Sequence, residues 1–341
     1  MADAIVAGHL CLDIIPELHH TAKLEPGRLI EAGSATLSTG GAVSNVGRAL
    51  LKLGIATHLI GMVGDDMFGK AVLDLLGPAG ETIVVCPSET TSYTIVLNVP
   101  GQDRMFLHAP GCNRTFTSSA VSDDQLRGAR LIHFGYPPLM ESMYASDGEE
   151  LVDLFRRAKR AGATTSLDMS LPDADSESGK VDWKRVLERV LPLCDLFCPS
   201  LDELQFMLGR HRGPTDVASL AREVLQFGAR VALIKLGAEG VYLSAGRELE
   251  GLGRAFDSSS TTSWRGIEIH QACFPVQLVG TTGSGDATIA GFLMAILQGM
   301  DPRGALRAAC AVGACSVEAA DAISGVKDWP TIRERLDREW R

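Results

Sequence analysis

No stretch of this chain has the apolar length a membrane-crossing helix requires. The amino-terminal segment MADAIVAGHLCLDII lacks a basic leader and carries acids at Asp3 and Asp13, so a secretion signal is not expected and a cytoplasmic location is. Positive charge is in deficit as well. With 32 lysines and arginines against 42 acids, the net charge is −10, which disfavours nucleic acid or an anionic membrane as a partner. A local cationic pocket for a phosphate is still allowed. Cysteine pairs at CxxC spacing are also missing. The eight cysteines are scattered, and Cys194, Cys198, Cys310 and Cys315 sit in apolar stretches. They read as small buried hydrophobes in a reducing compartment rather than as disulfides or zinc ligands. Without a secretion signal, the sequon Asn113-Arg114-Thr115 carries no weight. Repeats and low-complexity tracts are absent.

What is present suits a globular enzyme. The 341 residues are 45% hydrophobic and 22% charged, enough to bury a sizeable core as one large α/β domain or two smaller ones. Short apolar runs such as AIVAGHLCLDI, THLIGMVG, RLIHFG, TTSLDMS, DLFCPS and RVALIKLG alternate with helical patterns. Val43, Val46, Leu50 and Leu53 mark one helix face, ended by Gly54, and Leu151, Leu154, Phe155 and Ala158 mark another. Further helices are expected around 182–192, 201–208 and 216–227. Near-continuous apolar strands between amphipathic helices predict a parallel sheet covered on both faces, with functional groups beyond the carboxyl ends of its strands. Two segments break the pattern. Residues 15–39 and 91–114 alternate partly with polar residues and contain the hairpin signal NVPGQDR, which predicts a small β-sheet lid. An antiparallel edge on the main sheet is the competing reading of these segments. The polar stretch 255–266 is the softest part of the chain.

Three glycines, Gly280, Gly283 and Gly285, crowd ahead of Asp286 at the start of an apolar helix. Gly283, Ser284 and Gly285 can aim successive N–H groups at one point, and the helix adds its positive end. That suits negative charge developing in phosphoryl transfer, with Asp286 able to take a proton from a hydroxyl. An N-capping aspartate after a glycine turn explains the same residues equally well. Upstream, Gly40-Gly41 permits close approach of a ligand at a helix start, Asn45 offers a donor and an acceptor, and Asp13 can receive hydroxyls. Two near-matches fail. GDDMFGKA lacks the hydroxyl of a phosphate loop at Ala71 and places Asp65 and Asp66 where phosphates would sit, and GSGDAT has Thr288 in place of the third glycine of a dinucleotide fingerprint.

Together these residues resemble the two signatures of the ribokinase-like (PfkB) carbohydrate kinases, in the right order over essentially the whole chain. The first is Gly40-Gly41…Asn45…Gly47, continued by GMVGDDMFG, and the second is GTTGSGDATIAGF. The resemblance implies a ribokinase-like three-layer αβα fold with a mainly parallel central sheet. The kinase body would take residues 1–14, 40–90 and 115–341, with the nucleotide site in its carboxyl-terminal half, and the lid 15–39 and 91–114. It implies ATP-dependent phosphorylation of a sugar or related polyol. Asp286 would be the base and Gly283, Ser284 and Gly285 the anion hole, while Asp13, Gly40, Gly41, Asn45 and Asn113 would bind the acceptor. Lys235, Gly237 and Gly240 in KLGAEG and Cys310 in ACAVGACSV would border the nucleotide, and Glu203 would serve Mg2+. A monovalent cation is also compatible with the family. Lid strands with an apolar outer face would be covered by a second copy in a two-fold dimer.

Three departures bear on this. Gly280 replaces an aspartate, Ser200 an asparagine ahead of Glu203, and Lys235 a threonine. They keep a catalytically weak sugar- or nucleotide-binding protein in contention. A nucleoside kinase is the nearer rival, with Tyr93, Phe106 and Phe116 as candidates to line a base slot.

Overall fold

A computed structural model of the protein describes residues 2–18, 26–99, 105–210, 216–256 and 261–340. Eight strands form the main sheet: β1 (Ala4–Gly8), β4 (Thr57–Ile60), β9 (Leu131–Gly135), β10 (Thr164–Asp168), β11 (Leu196–Phe197), β12 (Val231–Lys235), β13 (Val241–Ala245) and β14 (Glu268–Gln271). Their order is β14-β13-β12-β11-β10-β9-β1-β4, parallel from β4 to β12 and antiparallel over the last two strands. The sheet is therefore mainly parallel, as its apolar strands predict, with an antiparallel edge built from β13 and β14.

Alternation along the strands builds a core on each face. Ala4 and Val6 of β1 join Leu131, Leu196 and Leu233 under the helices Ala42–Lys52, Ser284–Leu297, Pro302–Ser316 and Trp329–Arg338. Ile5 and Ala7 of the same strand face the other way, with Ile132, Phe134, Phe197 and Ile234, under Glu141–Arg160, Trp183–Val190, Leu201–Met207 and Val217–Gln226. The helix Ser284–Leu297 is buried nearly all round, so it lies inside the layer rather than on its surface.

A separate four-stranded sheet has the order β3-β2-β7-β8, from β2 (Cys11–Pro16), β3 (Ala35–Gly40), β7 (Tyr93–Leu97) and β8 (Met105–Ala109). Segments distant in sequence thus pair as one lid, apart from the main sheet. Its first strand starts at Cys11 rather than at residue 15, so Asp13 is a lid residue and not the tail of β1. The middle of the NVPGQDR turn, 100–104, lies outside the described residues. Two short strands, β5 (Met62–Gly64) and β6 (Val84–Cys86), pair alongside. No described helix is long and apolar enough to cross a membrane, and all eight cysteines are free thiols, most of them buried.

Of the polar stretch 255–266, residues 257–260 lie outside the described residues, and the described part is anchored. Trp264 is fully buried there, edge-on to Phe256 at 5.5 Å and to Phe292 of the buried helix at 6.0 Å. One large apolar residue anchors a segment whose average composition is that of a loop. Trp264→Ala should cost about 3–5 kcal/mol of stability in urea denaturation; a cost under about 0.5 kcal/mol would show that the segment is not docked.

Candidate functional site

Between the lid and the carboxyl ends of the main strands lies a cavity of about 970 Å³. The lid faces it with every second residue. Asp13 pairs with Thr94, Thr94 with His108 and Val96 with Phe106, and all five line the cavity. The opposite face presents Leu37, Met105 and Leu107, all exposed.

Glycine is required where the lid meets the first helix. A Cβ at Gly40 would fall 2.3 Å from an Asp13 carboxylate oxygen. At Gly41, φ is +86° and a Cβ would meet the His9 carbonyl. The diglycine therefore lets Asp13 and His9 close against the start of Ala42–Lys52, whose first turns carry Asn45 to the cavity. Burial raises the Asp13 carboxyl to about 6, an effect only partly offset by the Cys11 thiol donating to it at 3.4 Å.

Asp286 lies in the first turn of Ser284–Leu297 and is 3% exposed. It does not cap the helix. Gly283 holds the cap position in the left-handed conformation (φ 68°), without a side-chain bond. Asn45 Nδ2 donates to Asp286 Oδ2 at 2.9 Å, and the Tyr136 hydroxyl lies 2.8 Å from both carboxylate oxygens. Burial raises the Asp286 carboxyl above the usual range, with Asn45, Lys235 and Tyr136 pulling it back. Gly285 sits beside Lys235, where a Cβ would be 3.7 Å from Nζ, and the Ser284 N–H turns back to the Thr281 carbonyl at 3.3 Å.

Other predicted residues fall into place or out of it. Gly240 and Cys310 converge on the Gln271 carbonyl, and Gly237 adjoins Cys273 at the same rim of the sheet, away from the cavity. Lys235 is drawn inward from that rim and pairs with buried Asp168 at 2.7 Å. Glu203 borders the cavity. Ser200 closes a capping box with it: the Ser200 N–H donates to Glu203 Oε2 at 2.6 Å and the Glu203 N–H to Ser200 Oγ at 3.3 Å. The Ser200 departure thus has a local structural use. So does Gly280, where a Cβ would be 2.9 Å from the Ala319 carbonyl. Asn113 is not brought to the site. It is fully buried, with both ends of its amide spent on the backbone of Leu10 at 2.9 and 3.4 Å, so it fastens the turn after β8 to the link between β1 and β2 and is corrected from a ligand to a staple. Phe116 packs on Phe134 in the core and Tyr93 on Phe68, which leaves Phe106 alone of the three candidate aromatics on the cavity.

Sequence reasoning missed His9, His108, Tyr136 and Asp168. Three of them obey a rule already applied to the sheet: Asp168 ends β10, while His9 and Tyr136 follow the last residues of β1 and β9 closely, Gly8, Gly135 and Asp168 being in register. Both ring nitrogens of His9, Nε2 of His108 and Oδ1 of Asn45 are buried without a hydrogen-bond partner among the described residues. Burial pushes both imidazoles down, His108 to about 4, so they are neutral and each can donate or accept. Hydroxyls or similar polar groups of a ligand would answer these atoms.

The pattern of the pfkB family carbohydrate kinase matches residues 1–329. Ribokinase of Arabidopsis thaliana is 24% identical over 343 residues, covering 97% of this chain and 80% of that protein. Fructokinase-1 of Oryza sativa subsp. japonica is 25% identical over 297 residues, covering 85% and 82%. The structure of Arabidopsis thaliana ribokinase complexed with ribose and ATP superposes with a TM-score of 0.77 at 22% identity, covering 98% of both chains.

Because a group held protonated by the fold opposes its own ionisation, Asp13 should weaken the fold as pH rises. A raised carboxyl leaves stability intact below the ordinary carboxyl range and loses it as pH climbs through about 6. Asp13→Asn should then gain about 2 kcal/mol over the native chain at pH 8 and little at pH 4 in urea denaturation. An equal gain at both pH values would exclude the buried charge as the cause.

Proposed function

The chain belongs to the pfkB family of carbohydrate kinases, phosphotransferases with an alcohol group as acceptor, and from that premise we propose that it transfers the γ-phosphoryl group of ATP to a hydroxyl of a small sugar or related polyol in the cytoplasm. The observation that carries the reading is the opening of Asp286, at a helix amino terminus, onto the same cavity as Asp13, His9, His108 and Asn45. Polyol hydroxyls answer the unpartnered ring nitrogens and amide oxygen, and Asp13 accepts a further one. The reacting hydroxyl gives its proton to Asp286 while its oxygen bonds to the γ-phosphorus, the bond from that phosphorus to the β–γ bridging oxygen breaks, and ADP leaves. The first turn of Ser284–Leu297 and the Gly283–Gly285 turn stabilise the charge on the transferring group. ATP lies along the rim of Gly237, Gly240 and Cys310, with Lys235 inward of it.

Mg2+ fits the donors present. Glu203 faces the cavity and Asp168 Oδ2 is a buried oxygen without a partner among the described residues, and this ion is usually held by one or two carboxylates together with substrate phosphates. When bound it would neutralise phosphate charge. The exposed Leu37, Met105 and Leu107 support a dimer through the lids. A nucleoside acceptor is less well supported, because only Phe106 of the three candidate aromatics reaches the cavity.

Asp286→Asn should lower turnover on the order of 10²–10⁴-fold. ADP release with a panel of pentoses and ketohexoses measures this, and unchanged turnover would end the assignment of Asp286 as base. In the native enzyme the acid limb of kcat/KM should lie above the ordinary carboxyl range, because burial raises Asp286 and only its ionised form accepts a proton.

A further inference from the structure

Among the described non-glycine residues of the cavity wall, Tyr136 alone has a positive φ. It lies in the left-handed region (φ 68°, ψ 43°), where tyrosine is rare. It also precedes Pro137, and a residue before proline is normally driven to extended backbone. The conformation is fixed from both sides: the Tyr136 N–H reaches the Asp168 carbonyl at 3.4 Å, and its own carbonyl accepts from Leu139 at 3.0 Å. A backbone held this way at a cavity wall is a mark of functional use. Its product is specific. The phenol is delivered 2.8 Å from each oxygen of Asp286, while Asn45 takes Oδ2 from another side. Burial and the neighbouring Asp286 charge push the phenol up, so it keeps its proton and can only donate here.

From this geometry we infer that the Tyr136 hydroxyl occupies the place of the acceptor hydroxyl on Asp286, so that water is not activated before an acceptor arrives. The inference rests on Asp286 being the base. A kinase with bound ATP has a side reaction available. Water can lose a proton to the carboxylate as its oxygen bonds to the γ-phosphorus and the bond to the bridging oxygen breaks, giving ADP and phosphate. Water needs the same lone pair on Asp286 that an acceptor needs. One phenol proton shared between both oxygens covers the carboxylate and leaves water to compete with a group already tethered at high effective concentration. A polyol has an advantage that water lacks. Its other hydroxyls bind His9, Asp13 and Asn45 at the same time, so it displaces the phenol with binding energy drawn from several contacts. Tyr136 is then a specificity residue that discriminates acceptor from water.

The test compares native enzyme, Tyr136→Phe and Tyr136→Asn, asparagine being a residue that tolerates the left-handed backbone. ADP release is measured with ATP and Mg2+ alone and then with a titrated sugar. Both variants should hydrolyse ATP faster without acceptor, on the order of 10–100-fold, the factor carried by one hydrogen bond to an ionised group. Tyr136→Phe should also show a lower KM for the acceptor, which no longer has a phenol to displace. Acceptor-free hydrolysis at the native rate in both variants overturns the inference. A fall in kcat with an unchanged acceptor KM and no rise in hydrolysis also overturns it, and assigns Tyr136 to orienting Asp286 instead. Asp286→Asn in the Tyr136→Phe background separates the two levels of argument. If the double variant loses the extra hydrolysis the base assignment stands, and where Tyr136→Phe shows no extra hydrolysis, loss of sugar-dependent turnover in Asp286→Asn alone keeps that assignment while the Tyr136 inference falls. If it keeps that hydrolysis, Asp286 is not the base.

Discussion

Burying a carboxylate costs free energy unless donors replace the water it gives up. Asp286 is 3% exposed, yet the base role proposed for it requires the ionised form. Two donors, the Asn45 amide and the Tyr136 phenol, and the positive end of a buried helix supply what water would. Much of the surrounding architecture serves to bring these three together. Asn45 comes from the helix after the lid, Tyr136 from the end of a central strand, and Asp286 from a helix sealed inside one layer. None is a sequence neighbour of another, so the arrangement exists only in the folded chain.

Glycine makes those approaches possible. At Gly40 and Gly41 the backbone passes so close to Asp13 and His9 that any side chain would collide. Gly283 turns the chain through the left-handed region immediately before the helix that carries Asp286. Flexibility is used once, in folding, to reach a conformation that is then locked by packing.

The fold was legible because it rests on periodicity. Strands buried on both faces read as continuous apolar runs, and the lid betrayed itself by alternation. Boundaries were less legible: Asp13 sits where β1 and the lid are nearly continuous in sequence, and only pairing with Ser38 and Thr94 assigns it to the lid. Candidate residues within dense motifs, such as Asn45, Gly283 and Asp286, line the cavity, whereas isolated cavity residues give no signal in the sequence. Tyr136 looks like any core aromatic until its left-handed backbone is seen, and His9 like a polar interruption in a strand. Asn113 erred in the other direction. The family resemblance implies an acceptor contact for it, but the backbone of Leu10 takes both ends of its amide. Trp264 shows the same limit, since a composition average cannot register one buried anchor.

The central claim is geometric: an acceptor hydroxyl meets Asp286 on the cavity side of the helix amino terminus. A crystal structure with a pentose or ketohexose and the Mg2+ complex of a non-hydrolysable ATP analogue tests this directly. The account predicts one sugar hydroxyl within about 3 Å of an Asp286 carboxylate oxygen, with the γ-phosphorus on the Gly283–Gly285 side and other hydroxyls on Asp13, His9 and Asn45. A sugar seated with no hydroxyl near Asp286, or a nucleotide whose phosphates point away from that turn, would contradict it.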